Sequence, residues 1–313
     1  MEKINICLSS DDNYSKYLGV VIASILSNTN SNDIAFYILD GGISEENKNK
    51  IKSLISLREC SIIFVSVDES LFDVYKSIKT HSYISLSACY ILKLASLLPN
   101  CKKILYLDCD TIVNTEILEL YNINIKNYYI AGVRDIATKH RGYIPPIKAG
   151  NFYINSGVVL FNLDKIRECN IEEKFEKYTK ENIESIRVGD QEIINMVCQG
   201  MIKELDSEWN VQSSNFVNRS DYTNTLKIVH YIGKQKPWYF ASMNYWKDLY
   251  FDNLQKTPWK LSKKDEIKFR LYGQIFSILR YIKHRPLFFL RPRFYKAIYM
   301  TYLKKKIVYL ANN

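Results

Sequence analysis

The chain predicts an α/β protein built on a mostly parallel, twisted, Rossmann-like sheet with helices on both faces. Short apolar runs alternate with stretches of helical spacing up to about residue 133, and repeated β-α-β order in one sheet puts the crossover helices on its two sides. The run Lys103-Ile-Leu-Tyr-Leu107 lacks polar alternation, as a parallel strand buried on both faces does. Asp108 and Asp110 follow it directly, at the carboxyl end of a strand, where open α/β sheets hold their ligands.

Lys3 to Ser9 opens as a strand, and Tyr14 to Ser27 follows as a helix with Tyr17, Leu18, Val21 and Ile25 at helical spacing. Ile34 to Leu39 is the second strand and Ser44 to Leu57 the second helix. Ser44 suits its N-cap, although Asn47 stands where a full capping box has Glu or Gln. A third strand is expected over Ser61 to Val67, then a helix from about Ser87 to Leu97, closed by Pro99. Tyr129 to Val133 is the strand after the carboxylate pair. From Arg134 the character changes. A loop over Arg141 to Asn151 contains Pro145-Pro146, and a strand follows at Asn155 to Asn162. Helices are expected near Ile171 to Asn182 and from about Asp190 to Cys198, and Lys227 to His230 is a further strand-like run.

Ordinary apolar and charged fractions, 47% and 24%, exclude a disordered chain and allow a large core. Seven cysteines, odd in number and without Cys-x-x-Cys spacing, argue against a disulfide framework or a zinc ribbon. The first apolar run breaks at Ser9-Ser10-Asp11-Asp12, too early for a signal sequence, so a reducing, cytoplasmic setting is expected. No apolar stretch is long enough to span a bilayer.

The net charge of +10 is concentrated at one end. From Lys260 onward fourteen Lys and Arg face only Asp265 and Glu266, which leaves the first 259 residues near −2. Large apolar and aromatic residues interleave with these cations, a pattern suited to an anionic membrane surface. A helix packed on the body with a solvated basic face, or a nucleic-acid-binding segment, would share the composition, but no nucleic-acid motif accompanies it.

Side chains alternate along a strand with period two, so Asp108 and Asp110 can point the same way and hold one divalent cation, with a diphosphate beyond it. A solvated loop would carry the same pair. Asp11, Asn13 and Tyr14 lie after the first strand, where Asp11 can accept a base N–H, Asn13 can pair with polar edges and Tyr14 can stack; a helix cap followed by a core tyrosine is the plainer reading. Gly233 allows close backbone approach to a phosphate and Lys236 supplies a point charge, or the two form a surface turn.

Five blocks in order, Ser9-Ser-Asp-Asp-Asn-Tyr14, Leu39-Asp-Gly-Gly-Ile-Ser44, Leu105-Tyr-Leu-Asp-Cys-Asp110, Asn155-Ser-Gly-Val-Val-Leu160 with Gly189-Asp-Gln-Glu-Ile-Ile-Asn195, and His230-Tyr-Ile-Gly-Lys-Gln-Lys-Pro-Trp238, resemble the family 8 retaining glycosyltransferases. Within that family they resemble the bacterial lipooligosaccharide and lipopolysaccharide galactosyl- and glucosyltransferases. The resemblance implies a GT-A fold over 1–259, divided into a nucleotide-binding half (1–132) and a donor-sugar and acceptor half (133–259), then a membrane-associating helical tail over 260–313. It implies transfer of galactose or glucose from a UDP-sugar to a glycan acceptor at the cytoplasmic membrane face.

The implied metal is Mn²⁺, with Mg²⁺ as substitute, held by Asp108, Asp110 and His230. The implied donor site comprises Ser9, Asp11, Asn13, Tyr14, Asp135, Asn155, Asp190, Gln191, Gly233 and Lys236, with Gln191 and Asp190 nearest the chemistry. Gln191 is a poor nucleophile, which favours same-face attack of the acceptor as UDP leaves; Asp190 as nucleophile after a rearrangement is the alternative. An N-cap would also explain Asp190, and a core histidine His230. One departure stands out. Relatives carry Tyr-Arg-Leu before the carboxylate strand, and here Ile91 occupies the Arg position in Tyr90-Ile91-Leu92. Either Lys93 or another cation substitutes, or donor preference or activity has changed, and an inactive UDP-sugar-binding homologue becomes a second reading. A sugar nucleotidyltransferase is disfavoured, because the loop after the first strand lacks glycines and basic residues.

Overall fold

The computed structural model describes residues 3–31, 33–78, 86–136, 147–213, 226–233, 236–240, 242, 244–269 and 279. The loop expected over Arg141 to Asn151 lies partly outside these residues, and of the basic tail only 260–269 and 279 lie within them.

A seven-stranded sheet forms the centre, in the order β3-β2-β1-β4-β7-β6-β8. Its strands are β1 (Ile4–Ser10), β2 (Ile34–Asp40), β3 (Ser61–Ser66), β4 (Lys103–Leu107), β6 (Ile130–Arg134), β7 (Ile154–Asn162) and β8 (Ile202–Glu204). The first four pair in parallel, as does β6 with β8, while β7 runs antiparallel to both β4 and β6. A small sheet, β5-β10-β9, is made of β5 (Thr111–Val113), β9 (Val211–Gln212) and β10 (Ile228–His230).

The central strands bury both faces, which is why they read as unbroken apolar runs. Ile4, Ile6 and Leu8 of β1, Leu105 and Leu107 of β4, and Val158 and Leu160 of β7 face one core with helices α1 (Ser15–Asn28) and α2 (Glu45–Lys52). Cys7, Ile104, Tyr106, Val159 and Phe161 face a second core with helices Leu163–Glu168, Ile171–Asn182 and Asp190–Cys198. A third, smaller core joins α1, β10 and helix Lys247–Leu254. The chain remains packed on this body as far as Phe269, whose carbonyl accepts from Lys247 Nζ (2.7 Å). Among the described residues no helix is long and apolar enough to cross a membrane.

Two helices are shorter than expected. The second ends at Lys52 and continues as a 3₁₀ turn over Ser53–Ser56. The segment expected as a helix from Ser87 to Leu97 is 3₁₀ over Leu86–Lys93 and α only over Leu94–Leu97. Cys89 to Leu94 are all buried, so this segment has no solvent-facing stripe and lacks the one-sided burial that an amphipathic helix exploits.

Asn195 locks helix Asp190–Cys198 to β7. Its Oδ1 accepts from Ile154 N (2.7 Å), and its Nδ2 donates to Ile154 O (2.8 Å) and Gln191 O (2.7 Å). Replacement by leucine strands backbone groups in a dry interior at about 1–3 kcal/mol each. Asn195→Leu should therefore lower unfolding free energy by roughly 2–4 kcal/mol in urea denaturation; an unchanged midpoint would show that the lock is not needed.

Candidate active site

Strand β4 ends at Leu107, but Asp108 stays tied to the sheet because its N–H donates to Gly157 O of β7 (2.9 Å). The chain then turns: Thr111 N and Oγ1 both donate to Asp108 O (3.3 and 2.9 Å), and the chain leaves as β5. Because β5 runs antiparallel to β10 with Thr111 opposite His230, the end of β10 arrives beside the two carboxylates. His230 Nε2 lies 3.1 Å from Asp110 Oδ1 and 3.6 Å from Asp108 Oδ2. One ligand atom from each of the three falls within 4.8 Å of the others.

The imidazole reaches this position over a bare backbone. A Cβ at Gly157 would stand 2.1 Å from His230 Cε1 and 2.7 Å from Asp108 Oδ2, so any side chain there would displace the ring or the carboxylate.

Lys236 Nζ forms an ion pair with Asp110 Oδ2 and also donates to Tyr231 O (2.7 Å). The turn that brings it in passes through Gly233, whose φ of +71° lies in the left-handed region that favours glycine. Trp238 then stacks on Tyr17 of α1 (centroids 3.9 Å apart, planes at 20°), and Tyr17 meets Tyr14 edge-on at 5.2 Å. The Lys236 loop is thus pinned beside the turn after β1.

Burial and the neighbouring Asp110 raise the carboxyl of Asp108 above its ordinary range. Burial also pushes Asp110 up, but Lys236 and His230 outweigh it and hold Asp110 well below that range. Two converging carboxylates and an imidazole offer hard oxygens and one nitrogen, a donor set that fits Mn²⁺.

Two residues before Gly157 on β7, Asn155 belongs to a group of buried polar side chains. Asn155 Nδ2 donates to Gln191 Oε1 (3.0 Å) and Asp135 Oδ1 (3.4 Å), and Gln191 Oε1 also accepts from Ser156 N (3.2 Å). The Gln191 side-chain oxygen is therefore engaged by two donors within the protein. Asp190 opens its helix after Gly189, and its carboxyl is pushed up to about 7 by burial and by Asp108, against hydrogen bonds from Ser156 and from its own and Gln191's backbone. Glu192 Oε2 accepts from Arg187 N and Val188 N (2.8 and 3.2 Å), steadying the approach to that helix.

At the turn after β1, Asp11 Oδ1 caps Tyr14 N (3.0 Å), and Asn13 and Tyr14 are exposed. Asp12 Oδ1 accepts from Ser44 N and Asn47 Nδ2 (both 2.8 Å), joining this turn to the start of α2. Ser9 Oγ donates to Ser87 O (2.6 Å). Ile91 is buried in the second apolar core, and Lys93 pairs with Glu176 on helix Ile171–Asn182. The cation on Asp110 among the described residues is Lys236.

Sequence reasoning missed Asn210 and Gln212. Asn210 Oδ1 lies 3.2 Å from His230 Nδ1, and Asn210 Nδ2 donates to Asn155 Oδ1 (2.9 Å). Gln212 brackets Asp135, accepting from Ile136 N (3.1 Å) and donating to Arg134 O (2.7 Å). The available signal was two amides spaced two apart in Trp209-Asn-Val-Gln212, as on one face of a strand.

A Rossmann-like sheet with a carboxylate pair at the end of its fourth strand and an antiparallel strand beside it is the arrangement of the GT-A fold. A solved galactosyltransferase, LgtC, in complex with donor and acceptor sugar analogues, shares the fold with a TM-score of 0.71 at 23% identity, over 85% of this chain and all of that one. The family model described as glycosyl transferase family 8 matches residues 5–242, and the chain belongs to that family. It is 36% identical over 246 residues to a Haemophilus influenzae protein whose name assigns it provisionally to the glycosyltransferases, covering 76% of this chain and 74% of that one. It is 24% identical over 278 residues to the lipopolysaccharide 1,2-glucosyltransferase of Escherichia coli K12 (83% and 80% covered). It is 24% identical over 270 residues to the lipopolysaccharide 1,3-galactosyltransferase of Salmonella typhimurium (82% and 80% covered).

The raised pKa of Asp190 has a consequence for stability. The unfolded state ionises this carboxyl near its ordinary 3.8 and the folded state only near 7, so Asp190 withdraws stability as pH climbs between those values. In chelator, Asp190→Asn should gain on the wild type by a few degrees in melting temperature from pH 4.5 to pH 8; a gap independent of pH would contradict the assigned environment.

Proposed function

We propose that this glycosyltransferase moves a hexose, galactose or glucose, from a UDP-sugar to a glycan acceptor with retention of configuration and with Mn²⁺. The meeting of Asp108, Asp110 and His230 at one point is the observation that carries the reading. When bound there, the cation supplies a Lewis acid for the departing diphosphate. Lys236 exchanges Asp110 for the leaving phosphate and stabilises charge on UDP. The turn with Asp11, Asn13 and Tyr14 receives the base, with Ser9 at the strand end, and Gly233 leaves room for the diphosphate. Asp135, Asn155, Asp190 and Gln191 hold the sugar.

The bond from the sugar C1 to the phosphate oxygen breaks as the acceptor oxygen bonds C1 on the same face, and the acceptor proton passes to the leaving phosphate. The engagement of Gln191 Oε1 by Asn155 and Ser156 supports this course, since it removes that oxygen as a nucleophile. Asp190 remains the carboxylate for a covalent route.

The lipopolysaccharide transferases among the relatives support an acceptor in the lipopolysaccharide or lipooligosaccharide core. On its sequence alone, the basic aromatic segment from residue 260 holds the enzyme at the cytoplasmic face of an anionic membrane.

Incubation with a panel of UDP- and GDP-sugars, with Mn²⁺ or with chelator, tests this reading through release of nucleotide to water or acceptor. One UDP-hexose should be consumed in a metal-dependent way, and Asp108→Asn should reduce the rate at least about 100-fold. UDP binding without turnover on any donor or glycan acceptor would instead support the inactive homologue that Ile91 raises. Absence of UDP binding would overturn both.

A further inference from the structure

The side-chain amides at the site have their polarity set by two backbone N–H groups. Gly157 N can only donate, so the Asn155 atom it meets at 3.1 Å is an oxygen. That oxygen lies 2.9 Å from Asn210, which must therefore present its amide nitrogen there and turn its own oxygen toward His230 Nδ1, 3.2 Å away. Ser156 N fixes the far end in the same sense: it makes the facing Gln191 atom an oxygen, which then accepts from Asn155 Nδ2. Asn210 is fully buried and His230 nearly so, which leaves little room for water to substitute. An imidazole whose Nδ1 carries the proton can offer a cation the lone pair of Nε2, the nitrogen that faces Asp108 and Asp110.

We infer that Asn210 is a positioning residue with two ends: its oxygen holds His230 in the Nδ1–H tautomer required for Nε2 to ligate a metal, and its nitrogen ties that imidazole to the Asn155–Gln191–Asp135 group. The inference rests on the metal and donor-sugar reading above and adds a physical connection between the two halves of the site. A cation that pulls on His230 pulls, through one amide, on the residues proposed to hold the sugar.

The two ends separate by mutation. In Asn210→Asp the carboxylate still accepts from His230 Nδ1–H but cannot donate to Asn155 Oδ1, whereas Asn210→Leu loses both bonds. Mn²⁺ affinity is measured by electron paramagnetic resonance with UDP present, alongside transfer kinetics with the UDP-hexose that the wild type consumes, on full-length protein checked by circular dichroism. Asn210→Leu should weaken Mn²⁺ binding about 10- to 100-fold. Asn210→Asp should bind Mn²⁺ within about threefold of wild type or more tightly, yet lose at least about tenfold in kcat/KM for the donor.

If the leucine variant does not fold, the aspartate variant carries the test by that split. Wild-type Mn²⁺ affinity in Asn210→Leu, with binding still abolished by Asp108→Asn, would overturn the inference and leave the metal site standing. Parallel loss of metal and donor in Asn210→Asp would overturn the two-ended role. Mn²⁺ binding indifferent to Asp108→Asn would overturn the metal site and the inference together.

Discussion

His230 sits directly on the backbone at Gly157, with no space for a methyl group between its ring and β7. The small sheet and the large sheet meet at this point. The turn from β4 into β5 releases Asp108 and Asp110 there, the end of β10 delivers the imidazole, and β7 supplies the flat floor. Moving any one of these by the width of a side chain would separate the carboxylates from His230. The locks around the site follow from that tolerance. Asn195 fastens the Asp190 helix to β7, Asp12 fastens the turn after β1 to α2, and Trp238 fastens the Lys236 loop to α1.

The electrostatics follow from the same crowding. Two carboxylates converge, Asp110 the more buried of them, and they fare unevenly: Asp110 takes Lys236 and His230 as partners, while Asp108 is left with a raised pKa. Asp190, close enough to feel the charge of Asp108, is raised as well. Such a site stores unfavourable charge that a divalent cation relieves. Lys236, held on Asp110 and on the Tyr231 carbonyl, is a cation already in place that a diphosphate can draw away.

Most of the central sheet was legible because its strands are buried on both faces and announce themselves as apolar runs with boundaries good to a residue or two. Of the small sheet only β10 was legible, as the apolar run ending at His230; β5 and β9, three and two residues long, have no periodicity to read. The 3₁₀ course of Leu86–Lys93 was hidden for another reason: a segment buried all round carries no amphipathic period. At the site, charge made Asp108, Asp110 and Lys236 visible, and motif order raised His230 above an ordinary core histidine. Asn210 and Gln212 carry no charge, and their partners lie at distant points in the chain, His230 and Asn155 for one and Arg134 and Ile136 for the other. The inward turn of the Gln191 oxygen likewise depends on Asn155 and Ser156, and Ile91 reads as a lost arginine until its apolar surroundings are known.

The central claim is that one cation joins the two carboxylates and His230 to the diphosphate of the donor. Anomalous diffraction from crystals soaked with MnCl₂ and UDP measures this directly. The account predicts a single strong manganese peak within coordination distance of Asp108, Asp110, His230 Nε2 and the diphosphate oxygens, with Lys236 moved from Asp110 to phosphate. UDP bound with no manganese at this point, or manganese bound elsewhere while Lys236 stays on Asp110, would contradict it.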